Sequence, residues 1–260
     1  MDLDLNNKVA VVTGASRGIG REVSLALSQE GMDVALVARG SSELEQLAAQ
    51  LRAGGRKALP LAYDLRDRRA AETIIEAAVR EFGKIDLLVN NAGDTKGGRF
   101  FDLSDDDWAL GFELKVFGYV RMSRAAWPQL RQSKGLIVNI IGSNSRAGKA
   151  NYTIGGAANA SLVNFTKSLA DLGQTDGVRV NAINPGLTLT DRWRNRLETA
   201  AKQGGISFED ACGQAVAQWG VLRFAQPKEI ADMVAFLASH RASYLQGAII
   251  DIDGGYNRAV

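Results

Sequence analysis

The chain has 260 residues, of which 46% are hydrophobic, and its formal net charge is +2. This length and apolar content suit one α/β domain with a large core, and the near balance of charge argues against nucleic acid as a partner. The single cysteine excludes an intrachain disulfide, and the single histidine excludes His-based triads and His-rich metal sites, so we predict no metal site.

No segment approaches the roughly 20 consecutive apolar residues that a membrane-spanning helix needs. The first residues, Met1–Lys8, include two acidic side chains and lack the basic-then-apolar order of a signal peptide. We therefore expect a cytoplasmic protein with no membrane partner.

Short apolar runs alternate with longer helical patterns along the whole chain. Several of these runs are apolar throughout, which is typical of parallel strands that are covered on both faces. The predicted strands are Val9–Thr13, Val34–Ala38, Ala58–Tyr63, Leu87–Asn90, Leu136–Ile141, Val178–Ile183 and Ala248–Ile252. The helical patterns between them include Glu22–Gln29, Ser42–Ala53, Arg68–Phe82 and Trp108–Gln132.

This alternation predicts an α/β fold: one domain over residues 1–260, with a Rossmann-like, doubly wound parallel sheet of about seven strands and helices on both faces. Residues Arg192–Trp219 form a polar, helical segment between the last two predicted strands, and Gly204 and Gly205 interrupt it. A segment of this kind makes few core contacts, so we predict a substrate-covering lid and no second domain.

A glycine-rich turn, Thr13–Gly20 with the sequence TGASRGIG, follows the first predicted strand and opens a helix. Its glycines allow a tight turn and a close approach of the backbone to a pyrophosphate, which then lies at the positive N-terminus of the helix. The spacing T-G-x-x-x-G-x-G is more specific than a lone glycine-rich turn.

Together with later segments, this spacing resembles the short-chain dehydrogenase/reductase family. The later segments are Tyr63–Leu65 (YDL), Asn90–Gly93 (NNAG), Asn184–Thr190 (NPGLTLT) and the C-terminal set between Arg223 and Gly255. The resemblance covers nearly the whole chain. It implies a nicotinamide dinucleotide, a small-molecule substrate whose carbonyl and alcohol forms are interconverted, and a homo-oligomer, either a tetramer or a dimer. The cofactor-binding residues that it implies are Gly14, Ser16, Arg17, Gly18, Ile19, Gly20, Arg39, Asp64, Leu65, Asn91, Ala92, Gly93, Pro185, Gly186, Thr188 and Thr190.

The end of the second predicted strand indicates which nicotinamide cofactor is used. NAD-binding proteins place an acidic residue there for the ribose 2′-hydroxyl, but Leu36–Ser41 contains none. Arg39, together with Arg17 of the glycine turn, can instead form charge-assisted hydrogen bonds to a 2′-phosphate. We therefore predict NADP(H).

The family's catalytic Tyr-x-x-x-Lys pair is absent. Gly156 stands four residues after Tyr152, and an alignment anchored on the downstream run Phe165–Ala170 places the family's tyrosine at Gly155 and its lysine at Asn159. The position of the family's asparagine on the preceding helix is taken by Lys115.

These differences lead to a hypothesis of a rearranged site. In the family, a tyrosine acts as acid/base, a lysine favours its phenolate form, and a serine steadies the substrate oxygen. By resemblance we assign Tyr152 as acid/base, Lys115 as its electrostatic partner, and Ser143 (or its neighbour Asn144) as the group on the substrate oxygen. The alternative is a protein of the same fold that binds the dinucleotide in a binding or regulatory role and has lost hydride chemistry.

Overall fold

The computed structural model describes residues 2–258, and its sheet has seven parallel strands. The strands are β1 Val9–Thr13, β2 Asp33–Ala38, β3 Ala58–Ala62, β4 Leu87–Asn90, β5 Leu136–Ile140, β6 Arg179–Pro185 and β7 Ile249–Ile252. Their order is β3-β2-β1-β4-β5-β6-β7. The order reverses between β1 and β4, and a crevice opens at the carboxyl ends of strands at such a switch point.

Nine α-helices lie within the described residues. They are α1 Gly18–Gln29, α2 Ser41–Ala53, α3 Ala70–Phe82, α4 Asp105–Phe112, α5 Gly118–Ser133, α6 Thr153–Asp176, α7 Asp191–Gly204, α8 Phe208–Trp219 and α9 Pro227–Ala238. Within residues 2–258, none of these is both long and apolar enough to cross a membrane.

The sheet is covered on both faces because successive residues of a strand point to opposite sides. Val12 and Leu36 belong to a hydrophobic core shared with α1, α2 and α9. Their neighbours Val11 and Val37 belong to a second core shared with α3 and α5. Because both faces are buried, the strands are apolar throughout, and the predicted doubly wound α/β fold is confirmed.

One predicted helix, Trp108–Gln132, is wrong as a single regular element. The structure divides it into α4, a π-helical turn at Glu113–Phe117, and α5. The helix also begins earlier than predicted, because Ser104 and Asp107 form a capping box at its start. A π turn adds one residue to a helical turn, and such single turns are frequent at functional sites.

The segment Arg192–Trp219 falls on α7 and α8, which pack mainly against each other. Their apolar side chains, including Leu197 and Ala211, join neighbours such as Phe224 in a small cluster that is separate from the two cores of the sheet. This arrangement is compatible with an independently moving lid, and the lid function stays a prediction.

Candidate active site

A cleft of about 520 Å³ lies at the carboxyl ends of the strands. Its walls come from the segments that follow each of the strands β1 to β6, from the turn Glu113–Phe117 and from the start of α7. Fifteen of the sixteen predicted cofactor residues line it, all except Gly20. The structure therefore brings together residues that are as far apart in the chain as Gly14 and Thr190.

The glycine turn after β1 has the backbone that a close approach to a ligand requires. Gly14 and Gly18 have φ angles of +67° and +56°, values that favour glycine. A Cβ atom on Gly14 would lie 2.8 Å from the Asn91 side-chain nitrogen, and one on Gly18 would lie 3.3 Å from Thr190. The Asn91 side chain also donates to the Thr13 carbonyl at 2.9 Å, which holds the loop after β4 against this turn.

The start of α1 is open to an anion. Its N-cap residue, Arg17, is extended and makes no side-chain capping bond, so the first backbone N–H groups of the helix face the cleft without an internal acceptor. Such groups, together with the helix dipole, fit a pyrophosphate. Arg17 and Gly18 both line the cleft at this point.

Gly20 is the exception among the predicted cofactor residues, and the structure corrects its role. A Cβ atom there would lie 2.5 Å from the Asn91 side-chain nitrogen and would overlap the Gly14 carbonyl. Its lack of a side chain therefore lets α1 pack closely on the turn, and it does not contact the cleft.

The part of the cleft formed by the glycine turn and by the segment after β2 carries both positive and negative side chains. Arg17 and Arg39 line it, as predicted for a 2′-phosphate. Glu43 of α2 lines it too, which the sequence analysis missed because the residue lies beyond the end of β2. Hydrogen bonds from its own backbone amide and from the Ser42 hydroxyl keep the pKa of the Glu43 carboxyl below its usual value, so it is an anion at neutral pH.

Lys115 lies on the π turn, and the residue lines the cleft. The amine donates to the Ile141 carbonyl at 2.7 Å, and its stem passes Gly93, where a Cβ atom would lie 3.1 Å from the Lys115 Cδ. The residue keeps some exposure toward the cleft, but its amine is surrounded by protein. Burial, with a smaller contribution from the charge of Arg192, lowers the pKa of the Lys115 ammonium to about 8.

Tyr152 precedes α6, and its ring occupies the space beside Gly155. A Cβ atom on Gly155 would lie 2.6 Å from the Tyr152 hydroxyl oxygen and closer still to the ring. The Thr95 hydroxyl donates to the Tyr152 hydroxyl oxygen at 3.0 Å, which leaves the phenol proton free to be donated elsewhere. Tyr152 and Lys115 therefore both contact the segment 93–95 that follows β4, although Tyr152 lies outside the wall of the large cleft.

Ser143 does not reach the cleft wall in this structure. It is 4% exposed, and its carbonyl accepts from the Asn257 side chain at 3.3 Å. The preceding residues, Ile141 and Gly142, form the wall instead. Asn144 is also turned away, with a buried side-chain oxygen that has no hydrogen-bond partner among residues 2–258.

An ion pair crosses the mouth of the cleft beside Lys115. The Arg192 guanidinium of α7 contacts the Asp94 carboxylate at 3.0 Å, and both side chains are roughly half exposed. An exposed pair of this kind contributes about 0–1 kcal/mol, so it can open at small cost. It links the segment after β4 to the predicted lid.

Sequence reasoning missed several residues of the cleft. They are Val37, Ala38, Gly40, Glu43, Tyr63, Asp94, Leu114, Ile140, Ile141, Gly142, Asp191, Arg192 and Trp193. Ten of these thirteen lie within two residues of a predicted site residue, and the exceptions are Glu43, Ile140 and Trp193.

This fold and cleft have the form of an α/β dinucleotide site, and comparison with known proteins identifies the family of the chain. Residues 8–201 match the family model described as short chain dehydrogenase. The chain therefore belongs to the short-chain dehydrogenase family of oxidoreductases.

Individual relatives cover the whole chain. The 3-oxoacyl-[acyl-carrier-protein] reductase FabG of Staphylococcus aureus is 34% identical over 253 residues, which are 95% of this chain and 97% of that protein. L-sorbose reductase from Gluconobacter frateurii, solved with NADPH and L-sorbose, is 32% identical, with a TM-score of 0.96 and full coverage of both chains. A variant of actinorhodin polyketide ketoreductase, solved with NADPH, is 31% identical, with a TM-score of 0.90 over 97% of this chain and 98% of that one.

Proposed function

We propose that this chain is an NADP(H)-dependent oxidoreductase that interconverts a carbonyl and an alcohol on a small-molecule substrate, through a rearranged active site. The observation that carries the proposal is the buried amine of Lys115, which lies on the wall of a cleft that has the shape and the glycine turn of a dinucleotide site. A charge is costly to bury without a role. NADPH-bound reductases among the solved relatives support the same cofactor here.

The residues of the cleft fit the parts of the dinucleotide in order. The open start of α1 would hold the pyrophosphate, and Arg17 and Arg39 would face the 2′-phosphate. Pro185, Gly186 and Thr188 would lie along the nicotinamide end, on the same side as Lys115. When bound, the nicotinamide supplies or accepts the hydride at the substrate carbon.

The proton is handled by this chain's own residues. In the reducing direction the Tyr152 O–H bond breaks, and its proton goes to the substrate oxygen as the carbonyl becomes an alcohol. The phenolate that remains would accept a hydrogen bond from the Thr95 hydroxyl, which already bonds this oxygen. In this proposal the Lys115 ammonium, whose stem passes Gly93 of the same segment, would stabilise the negative charge. With a pKa of about 8, Lys115 is mainly charged at neutral pH.

A second candidate is supported by the position of Tyr152 outside the wall of the large cleft. In this candidate the protein binds the dinucleotide in a binding or regulatory role and performs no hydride transfer.

Several large apolar side chains are exposed, including Phe101 at 88% and Phe117 at 47%, which supports the expected homo-oligomer.

The experiment that separates the two candidates is an NADPH-consumption screen against a panel of small carbonyl compounds, with an NADPH-binding titration alongside. The oxidoreductase proposal expects binding and turnover. Tyr152→Phe and Lys115→Met should each lower kcat by about 10²–10⁴-fold while NADPH affinity is largely kept. The double variant should be little worse than either single one, because the two groups act as a unit. If the protein binds NADPH but turns over none of the carbonyl compounds in the panel, the second candidate is favoured.

A further inference from the structure

Asn159 of α6 is an unusual buried residue. It is 2% exposed, and its side-chain oxygen Oδ1 has no hydrogen-bond partner among residues 2–258. An amide oxygen buried without a donor is costly, and native structures satisfy such atoms with protein groups or internal waters. We therefore expect the Asn159 Oδ1 atom to accept a hydrogen bond from a donor in its surroundings.

The 3₁₀ turn and the start of the helix that carries Asn159 hold more polar atoms of the same kind. Buried and without partners among the described residues are Asn144 Oδ1, Ser145 Oγ and Thr153 Oγ1. They lie on the 3₁₀ turn Ser143–Ser145 and at the start of α6, which pack against each other. Buried polar groups of this kind are commonly satisfied by ordered internal waters.

The Lys115 ammonium is a hydrogen-bond donor, and it lies on the other side of the Ile141–Gly142 peptide from Asn159. An ammonium has three donors, and the Lys115 amine has one partner within residues 2–258, the Ile141 carbonyl at 2.7 Å. The next residue, Gly142, has a φ angle of +145°, and a Cβ atom there would lie 2.9 Å from the Asn159 side-chain nitrogen. Lys115 and Asn159 thus flank the Ile141–Gly142 peptide, and the π turn that carries Lys115 packs against α6.

We propose that Asn159 is a positioning residue for Lys115: its Oδ1 accepts a hydrogen bond from an internal water that in turn accepts one from the Lys115 ammonium. The inference deepens the proposed function and rests on it. The water and Asn159 solvate the buried charge and fix the direction of the amine. Asn159 itself touches neither substrate nor cofactor.

The direct consequence is that Asn159 sets how readily Lys115 keeps its proton. Among residues 2–258, the charge that acts on the amine is that of Arg192 on α7, which is paired with Asp94. Tyr152 is the titratable group that the proposed function pairs with the amine. Replacing the amide by a carboxylate, in Asn159→Asp, should make the ammonium harder to deprotonate. Replacing it by an apolar side chain of similar size, in Asn159→Leu, should make the ammonium easier to deprotonate.

The test uses the unfolding stability of the full chain, so it does not depend on turnover. Urea unfolding is measured from pH 6.5 to 10.5 in each variant, with and without Lys115→Met, and the difference locates the Lys115 titration. We expect the titration to move up by one pH unit or more in Asn159→Asp and down by a similar amount in Asn159→Leu. Asn139→Leu is the matched control, because Asn139 is a buried amide whose partners Asn90 and Thr166 lie elsewhere. It should lower stability at every pH without moving the titration.

If one of the two Asn159 variants fails to fold, the other is sufficient to test the inference. An unchanged Lys115 titration, or a shift of the same sign in both variants, would overturn it. If the shifts have the expected opposite signs but the wild-type protein turns over no carbonyl compound, Asn159 positions Lys115 in a protein without hydride chemistry. The proposed function and this inference therefore fail separately.

Discussion

Gly155 offers the sharpest test of where Tyr152 acts. The Tyr152 ring lies against the α-carbon of Gly155, so that even a methyl group there cannot be accommodated beside it. In Gly155→Ala the added carbon would lie 2.6 Å from the hydroxyl oxygen. We expect this single methyl group to displace the ring and to break the bond with the Thr95 hydroxyl.

The size of the effect follows from the overlap. Carbon atoms in contact lie about 3.5–4.0 Å apart, so the ring must retreat by roughly 1 Å or more. A misplacement of about 1 Å in a group that takes part in the chemistry can cost about 10²-fold in rate, which corresponds to ~2.7 kcal/mol in the barrier. Alanine also favours a helix over glycine by about 1 kcal/mol, so the loss of activity should come without a large loss of folding stability.

Gly156→Ala is the matched control, because it makes the same change in the next residue of the same helix. The nearest atom to a Cβ there is the Asn144 carbonyl oxygen at 3.7 Å, an ordinary contact. The assay measures kcat with the best substrate of the carbonyl panel, and NADPH affinity by fluorescence titration. We expect kcat to fall about 100-fold in Gly155→Ala and to change little in Gly156→Ala, with NADPH affinity kept in both. Equal kcat values in the two variants would show that the position of Tyr152 does not matter for turnover.

Three further predictions concern the charges and the lid. Because the Lys115 pKa is about 8 in the folded protein and near 10.5 when unfolded, the cost of burying its charge is present below pH 8. The free energy of unfolding should therefore rise by at most about 3 kcal/mol from pH 8 to 10.5, and a rise of the same size in Lys115→Met would contradict this assignment. NADPH should bind at least about tenfold tighter than NADH, as measured by calorimetric titration. Arg39→Ala should lose most of that preference, and Glu43→Gln should increase it. Equal affinities for NADPH and NADH in the wild type would exclude the 2′-phosphate assignment. Hydrogen exchange in Arg192–Trp219 should be fast without cofactor and slower with NADPH, whereas protection equal to that of β6 in both states would exclude a lid.

Much of the fold was predictable from local patterns. The strand cores are continuous apolar runs because both faces of a parallel sheet are buried, and each predicted strand lies within two residues of an observed one. The glycine turn was predictable for a similar reason. Positions 14 and 18 have positive φ angles, which favour glycine, and glycine is the residue found at both positions.

The sequence by itself determined the family, the doubly wound parallel sheet and fifteen of the residues that line the cleft, because those features depend on apolar strands and on short motifs at their ends. Only the tertiary structure decided how the rest of the site is assembled. The π turn that aims Lys115 at Ile141 adds a residue to a helix without a sequence signal, and the place of the Tyr152 ring depends on free space beside Gly155. The proposed role of Asn159 depends on the packing of α6 against Gly142, which lies 17 positions earlier in the chain. Packing between distant segments, which no local pattern encodes, sets the positions of Lys115 and Asn159.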